Sequence, residues 1–381
     1  MRLCIVQTVL PLYAISFFNR IVERNPDIEL VVLADLQSGE ALNQYQPELC
    51  RFRVKHLGQR SLPGVSFRPD ILNVLREVDA DVVVFSGSPR EPSQLLAMAW
   101  MRLLGKPVAM WGMFHRIGGT RLVSTLFYRM VGRLAHRCLS YTRVGASNLV
   151  SLGVSKQKIA VIGTAIDEQV PLSEATARTA AQLCAFRQQQ GLEEKQLVLQ
   201  VVRLTRVKNP ELLVQAAVLV LKQRHDVIFA LIGDGEMRAE LQSMVQRLGL
   251  ADHFRFPGAI YDEAQLSRWY LSARVFVVPT FMGLSAHHAM SYGVPVVTDD
   301  SLDSQGSEFE ILAPGLNSLT YSEGDVADLA RVLVDIVGDS ALHSMLSTNA
   351  LRTVTHVHNL DAKTRRFTKC VRELRASVAK A

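Results

Sequence analysis

Between residues 197 and 321 the chain repeats one pattern that leaves few folds open. Short apolar runs each end in a polar or glycine-rich turn, and a helical pattern follows. Residues 198–202 lead into Arg203-Leu204-Thr205-Arg206-Val207-Lys208, and residues 227–232 into Gly233-Asp234-Gly235. Residues 275–279 lead into Thr280-Phe281-Met282-Gly283-Leu284-Ser285, and the helix beyond stops at Tyr292-Gly293-Val294-Pro295. Residues 296–298 then open a loop to Ser307-Glu308-Phe309-Glu310. Strands alternating with helices mean crossover connections and a parallel sheet. Such sheets gather their binding turns at the carboxyl ends of the strands. Turns rich in Gly, Arg, Lys and Ser on one sheet edge suit a phosphorylated ligand.

The first half alternates in the same way. Strands are expected at 3–7, 29–35, 81–86, 107–111, 139–142 and 159–162, and helices at 15–24, 69–78, 93–104, 120–137 and 147–152. At 381 residues the chain is too long for one ordinary core. The expected division is a first α/β domain over 1–168, a connecting stretch over 169–195 with a helical centre at 174–189, a second α/β domain over 196–360, and a basic helix over 361–381.

Hydrophobic residues make up 48% and charged residues 20%, as in soluble α/β proteins. No window is a credible spanning helix, and the first residues read as a strand instead of a signal peptide. The five cysteines are scattered, which fits reduced thiols in cytosol and offers no metal spacing. The net charge of +6 is unevenly spread. Positions 92 to 166 hold no Asp or Glu but contain Arg102, Lys106, Arg116, Arg121, Arg129, Arg133, Arg137, Arg143, Lys156 and Lys158. The tail adds Lys363, Arg365, Arg366, Lys369, Arg372, Arg375 and Lys380 against Glu373. Such a field suits an anionic partner: a membrane leaflet, a nucleic acid or a phosphorylated substrate.

Several residues are candidates for chemistry. Arg203 and Lys208 sit in a loop before a helix whose first turn holds Pro210, so they form a phosphate clamp or a pair of solvated cations. Gly233-Asp234-Gly235 lets backbone approach a ligand, with Asp234 as a contact or a helix cap. Gly283-Leu284-Ser285 offers N–H groups to an anion, unless Ser285 only caps the helix. His287 and His288 are adjacent, so on a helix they point about 100° apart and make no metal face. In the helix expected at 120–137, Leu122, Val123, Leu126, Phe127, Met130, Val131 and Leu134 recur at helical spacing beside Arg129, Arg133 and Arg137. That is the pattern of a helix lying on an anionic membrane, or of a core helix with a basic edge. Arg121 adds to the same basic patch. The absence of aromatic residues interleaved with these arginines argues against nucleic acid.

Taken together, these segments resemble a known family. Residues 201–213, Ile232-Gly233-Asp234-Gly235, Phe256-Pro257-Gly258, Val278-Pro279, Gly283-Leu284, Ala289-Met290 and residues 293–297 are similar to the nucleotide-sugar domain of GT-B glycosyltransferases, the retaining family 4 among them. Glu310, Gly315 and Asn317 continue the match. In the first half, residues 10–13 with 17–20, and Gly145, Gly153, Lys158, Val161 and residues 165–167, are similar to bacterial polysaccharide-assembly members. The resemblance implies two Rossmann-like domains facing a cleft, the first for acceptor and the second for donor, with the C-terminal helix returning to the first.

By that carry-over Arg203 and Lys208 neutralise the donor diphosphate, and Met282, Gly283, Leu284 and Ser285 hold sugar and phosphate. Ala259 and Ile260 pass beside the base, and His115 approaches the donor sugar. The family pattern also carries two glutamates with seven residues between them. Here those positions hold Thr280 and His288, neither of them a carboxylate. Three readings follow: altered donor contacts in an active transferase, an unusual donor, or a pseudo-enzyme. The first is favoured because the phosphate clamp is complete. The expectation is a cytoplasmic protein, peripheral on the inner face of the membrane. It transfers a sugar to a lipid-linked glycan in surface polysaccharide synthesis, with no cofactor and no metal. A sugar-nucleotide epimerase on the same fold and a pseudo-glycosyltransferase scaffold are the alternatives.

Overall fold

The computed structural model describes residues 1–36, 46–89, 91–115 and 122–378. By internal contacts the chain divides into two units, Met1–Asp167 with Leu360–Ala381, and Glu168–Asn359.

The first unit is built on β1 (Arg2–Val9), α1 (Leu12–Arg24), β2 (Glu29–Asp35), β3 (Arg53–His56), the hairpin β4 (Arg60–Leu62) and β5 (Val65–Phe67), α2 (Ile71–Val78), β6 (Val82–Ser86), α3 (Ser93–Leu103), β7 (Val108–Gly112), α4 (Leu122–Leu134), β8 (Arg137–Ser140), α5 (Arg143–Ser151) and β9 (Ile159–Val161). Its sheet is parallel throughout, in the order β3-β2-β1-β6-β7-β8-β9. Strand side chains alternate between faces, so β1 serves two cores at once. Cys4 and Val6 pack with Leu75, Met98 and Val131 on one face. Leu3 and Ile5 pack with Phe18 and Phe367 on the other.

The second unit begins with α6 (Gln169–Ala177) and α7 (Ala180–Gln189), two helices where one helical centre is expected. The break falls where Thr179 caps α7, its hydroxyl accepting from Gln182 N while the Gln182 side chain accepts from Thr179 N. The rest is β10 (Gln196–Val201), α8 (Pro210–Leu221), β11 (Val227–Ile232), α9 (Arg238–Arg247), β12 (Phe254–Gly258), α10 (Glu263–Ser272), β13 (Ala273–Val277), α11 (Ser285–Ser291), β14 (Val296–Asp299), β15 (Ser318–Tyr321), α12 (Val326–Gly338) and α13 (Ser340–Arg352). This sheet is also parallel, in the order β12-β11-β10-β13-β14-β15.

The last helix, α14 (Leu360–Val378), joins the first unit. Phe367, Val371 and Leu374 enter its core. Asp361 accepts from Arg20 at 2.6 Å and Arg24 at 2.6 Å, and Arg372 reaches Asp27 at 2.7 Å. Part of the basic tail is thus spent on docking the helix.

Two local expectations are corrected. The helix expected over 120–137 is described from Leu122 to Leu134, and Arg137 starts β8. There its guanidinium donates to Gln157 O at 2.5 Å and lies 3.7 Å from Glu373. Chain beyond Leu134 must straighten for Arg137 to pair with Ala109. The apolar stripe also splits. Phe127 and Val131 are buried, whereas Leu122, Val123 and Leu126 are 89%, 69% and 63% exposed.

Candidate functional site

In an open parallel sheet the binding crevice forms where the strand order reverses, because neighbouring loops there run away to opposite faces. In the second unit that point lies between β10 and β13. The loops leaving these strands carry Arg203 and Lys208 on one side and Thr280 to Ser285 on the other, and the structure joins them. Lys208 Nζ donates to Phe281 O and sits 4.5 Å from the centre of the Phe281 ring. The same nitrogen lies 3.8 Å from where a β-carbon on Gly283 would stand. Burial pushes the Lys208 ammonium down to about 8, with nearby Glu308 acting in the opposite direction. A half-buried cation held by one carbonyl and one ring favours an anion beside it.

Two glycines are required one layer back, for a reason other than ligand approach. Gly233 has φ +143° and Gly235 φ +151°, and a β-carbon there would fall 1.9 Å from Val202 O and 2.4 Å from Leu204 O. The loop after β11 therefore presses on the loop after β10, with Val202 N donating to Ile232 O at 3.0 Å and Leu204 N to Asp234 O at 2.9 Å. Gly233-Asp234-Gly235 thus shapes the turn that presents Arg203, which is exposed. Asp234 does not cap α9. It accepts from Gly235 N at 2.8 Å and lies 3.8 Å from Arg238.

The loop after β13 is held from beneath. Met282 N donates to Gln305 Oε1 at 2.8 Å, and Gln305 Nε2 donates to Thr298 Oγ1 at 2.8 Å and Asp299 Oδ1 at 2.9 Å. Tyr321 O–H donates to Pro279 O at 2.7 Å. Phe281 is held at φ +51°, in the left-handed region uncommon for a bulky side chain. Sequence reasoning passed over Gln305, which has no motif spacing and is found only through its buried partners. Ser285 makes no side-chain cap of α11. Thr280 Oγ1 is shielded from solvent and makes no hydrogen bond among the described residues. An unsatisfied buried hydroxyl costs about 1–3 kcal/mol, so it stands ready for a partner.

His288 donates or accepts at Nε2 with Glu263 Oε1, 2.7 Å away. His287 is buried in the core of the unit, as a structural histidine would be. Ala259 and Ile260 follow Gly258 at the end of β12, on the same sheet edge. Of the two loop acids, Glu308 is buried and acts on Lys208, with Ser307 donating to it at 2.9 Å. Glu310 is partly exposed on the same short helix. Asn317 is structural: it accepts from Ala313 N at 2.7 Å and donates to Ile311 O at 3.0 Å. Asp299, the nearest thing to a metal-binding acid pair with Asp300, is buried in the Gln305 network. Among the described residues no group of three or more acids, histidines or cysteines is placed to hold a metal.

In the first unit His115 follows β7, and its Nδ1 lies 3.2 Å from Met113 O. Gly145 lets α5 come up against this loop, since a β-carbon there would sit 1.8 Å from Met113 O. Arg129 and Arg133 are exposed on α4. Arg121 lies outside the described residues. No described helix is long and apolar enough to cross a membrane.

Residues 185–353 match the family model described as glycosyl transferases group 1. Over 180 residues the chain is 28% identical to an uncharacterized glycosyltransferase of Methanocaldococcus jannaschii, covering 46% of this chain and 45% of that one, so the match spans less than half of that relative. Over 343 residues it is 24% identical to a GDP-mannose-dependent alpha-(1-6)-phosphatidylinositol monomannoside mannosyltransferase of Mycolicibacterium smegmatis, covering 86% of this chain and 85% of that one. The structure superposes on Anabaena HepE in complex with UDP with a TM-score of 0.78 at 17% identity, covering 98% of this chain and 99% of that one. The fold is that of the GT-B class: two Rossmann-like domains on parallel sheets, with a C-terminal helix that returns to the first.

Proposed function

We propose that this chain is a retaining glycosyltransferase that moves a sugar from a nucleotide donor to a lipid-linked glycan in surface polysaccharide synthesis. The observation that carries this is the half-buried Lys208 held against the 281–283 loop at the strand-order reversal of the second unit. A diphosphate placed there meets Lys208 and Arg203, and the charge that develops as it leaves is where a fixed cation lowers a barrier most. The bond from the sugar's anomeric carbon to phosphate oxygen breaks, and a bond from that carbon to the acceptor oxygen forms on the same face. The acceptor's proton passes to the departing phosphate oxygen. Arg203 and Lys208 supply the neutralising charge, so the reading includes no metal and no cofactor.

The sequence similarity to a mannosyltransferase whose acceptor is a phosphatidylinositol mannoside supports a lipid-linked acceptor. So does the exposed face of α4, where Leu122, Val123 and Leu126 lie beside Arg129 and Arg133. We place the protein on the cytoplasmic face of the membrane.

A second reading is a scaffold that binds donor without turnover, because Thr280 and His288 stand where the resemblance places glutamates. Thermal stabilisation against UDP-, GDP-, dTDP- and CMP-sugars, followed by product assay with a lipid-linked glycan, separates the two. A shift with one nucleotide class is expected, together with transfer. A shift without transfer favours the scaffold, and no shift with any nucleotide sinks the donor site. Turnover of the sugar nucleotide alone, with no acceptor present, would favour an epimerase instead.

A further inference from the structure

We propose that Glu308 is a specificity-determining residue of the second unit's crevice. Its charge works against the free nucleoside diphosphate more than against the sugar nucleotide, and so favours product release. This rests on Lys208 and Arg203 holding the donor diphosphate. Glu308 lies in the first turn of the short helix Ser307–Ile311, in the loop after β14. A β-carbon on Gly306 would stand 2.4 Å from Met282 O and 3.2 Å from Glu308 Oε2, so this loop presses on the loop after β13 with the carboxylate at the contact. Met282 precedes Gly283, whose β-carbon, if present, would stand 3.8 Å from Lys208 Nζ. Ser307 O–H donates to Glu308 Oε1 at 2.9 Å, and Gln305 fixes the turn through Met282 N. Glu308 is 8% exposed, so little water screens it.

Lys208 spends its hydrogen bond on Phe281 O, and the carboxylate reaches it through its field, favouring the charged ammonium against the burial that opposes it. A diphosphate brought to Lys208 therefore meets a fixed negative charge at the same site. In a sugar nucleotide the terminal phosphate is capped and carries one charge. After transfer the departing phosphate passes the acceptor's proton to water. With a second pKa of about 6, its terminal group then carries about one charge more at pH 7. Lys208 and Arg203 attract both forms, whereas Glu308 penalises the form with the extra charge, which is the product. The same repulsion opposes the charge that develops as the sugar–phosphate bond breaks, so the carboxylate gives up part of the clamp's stabilisation. What it gains is release of a ligand that two cations would otherwise retain, a step that limits turnover in many enzymes.

The test is calorimetric titration of the full chain at pH 7 with UDP, GDP and dTDP and with their β-methyl esters, which cap the terminal phosphate as a sugar does. For the base that binds, Glu308→Gln is expected to shift the ratio of the two affinities about tenfold in favour of the free diphosphate. That is the order expected for one unit charge acting across the crevice at an effective dielectric of about 20. Loss of the carboxylate also lets Lys208 give up its proton more readily, but this bears on both ligands alike, so the ratio is the readout. Mere loss of stability would leave the ratio unmoved. An unchanged or reversed ratio overturns the proposal and leaves the donor site standing. Binding of none of the three diphosphates to wild type sinks the donor site and the proposal with it. If Glu308→Gln does not fold, Glu308→Ala removes the same charge and the same ratio decides.

Discussion

Lys208 is the residue on which the site turns, and its protonation should be visible. Its ordinary value of 10.5 falls to about 8 because the surrounding loop strips water from the ammonium. A diphosphate would favour the charged form and draw the proton back, so nucleotide affinity should fall as pH rises through about 8. Titration at pH 7 and pH 9 checks this, and Lys208→Ala should flatten the dependence. The same variant should lose about two orders of magnitude in turnover with the fold intact, as when one charge-stabilising donor is removed. Wild-type turnover in Lys208→Ala would refute the clamp. For stability the sign is the reverse of a gained ion pair. Between about 8 and 10.5 the unfolded chain binds more protons at this lysine than the folded one, so its contribution to stability rises with pH across that window. Lys208 was legible in the sequence because Pro210 marks the helix start beside it. The coupling to Glu308 was not, since the two lie 100 positions apart and only the fold brings them together.

At the scale of the element, α4 shows how a pattern of spacing divides. Its apolar positions cover more than one face, and the sheet claims only the face of Phe127, Tyr128 and Val131. The remainder stays outside with Arg129 and Arg133. Replacing both arginines by Gln should reduce co-sedimentation with vesicles rich in anionic lipid, since each basic residue near such a surface contributes about 1 kcal/mol. Unchanged co-sedimentation would remove α4 from the membrane reading. Arg137 does not belong in that test, because its guanidinium ties β8 to Gln157 and α14. The glycine loop carries a parallel lesson. Gly233-Asp234-Gly235 was legible as a tight turn, but its purpose is loop-on-loop contact, which depends on β10 and β11 being neighbours.

For the whole molecule, the chain leaves the first unit at Asp167 and returns at Leu360. The last helix therefore completes a core begun by the first strand. Phe367 is fully buried, 5.5 Å from the rings of both Phe17 and Trp111. Phe367→Ala should cost about 3–5 kcal/mol of the first unit's stability, as expected for truncating a buried aromatic. The Lys208 site lies wholly in the second unit, so nucleotide affinity at 25 °C should be unchanged. Thermal unfolding and titration on the same sample check both statements. An equal loss of nucleotide affinity would show that the units do not behave independently.

Local periodicity determined most of the elements in this chain. Runs such as 29–35 and 227–232 came out as strands with those bounds, because both faces of a parallel strand are buried and the residues between its ends, 30–34 and 227–232, are apolar throughout. The short exposed strands β3 to β5 were not legible, as residues like Arg53, Lys55 and Arg60 carry no such signal. Gly, Lys and Pro at strand ends likewise marked where a site would gather. Only the tertiary structure decided which of those turns meet: Lys208 with Phe281, Gln305 under Met282, and Glu263 behind His288. Strand order sets these meetings, and strand order follows from crossover packing over the whole sheet, which no local stretch of sequence contains.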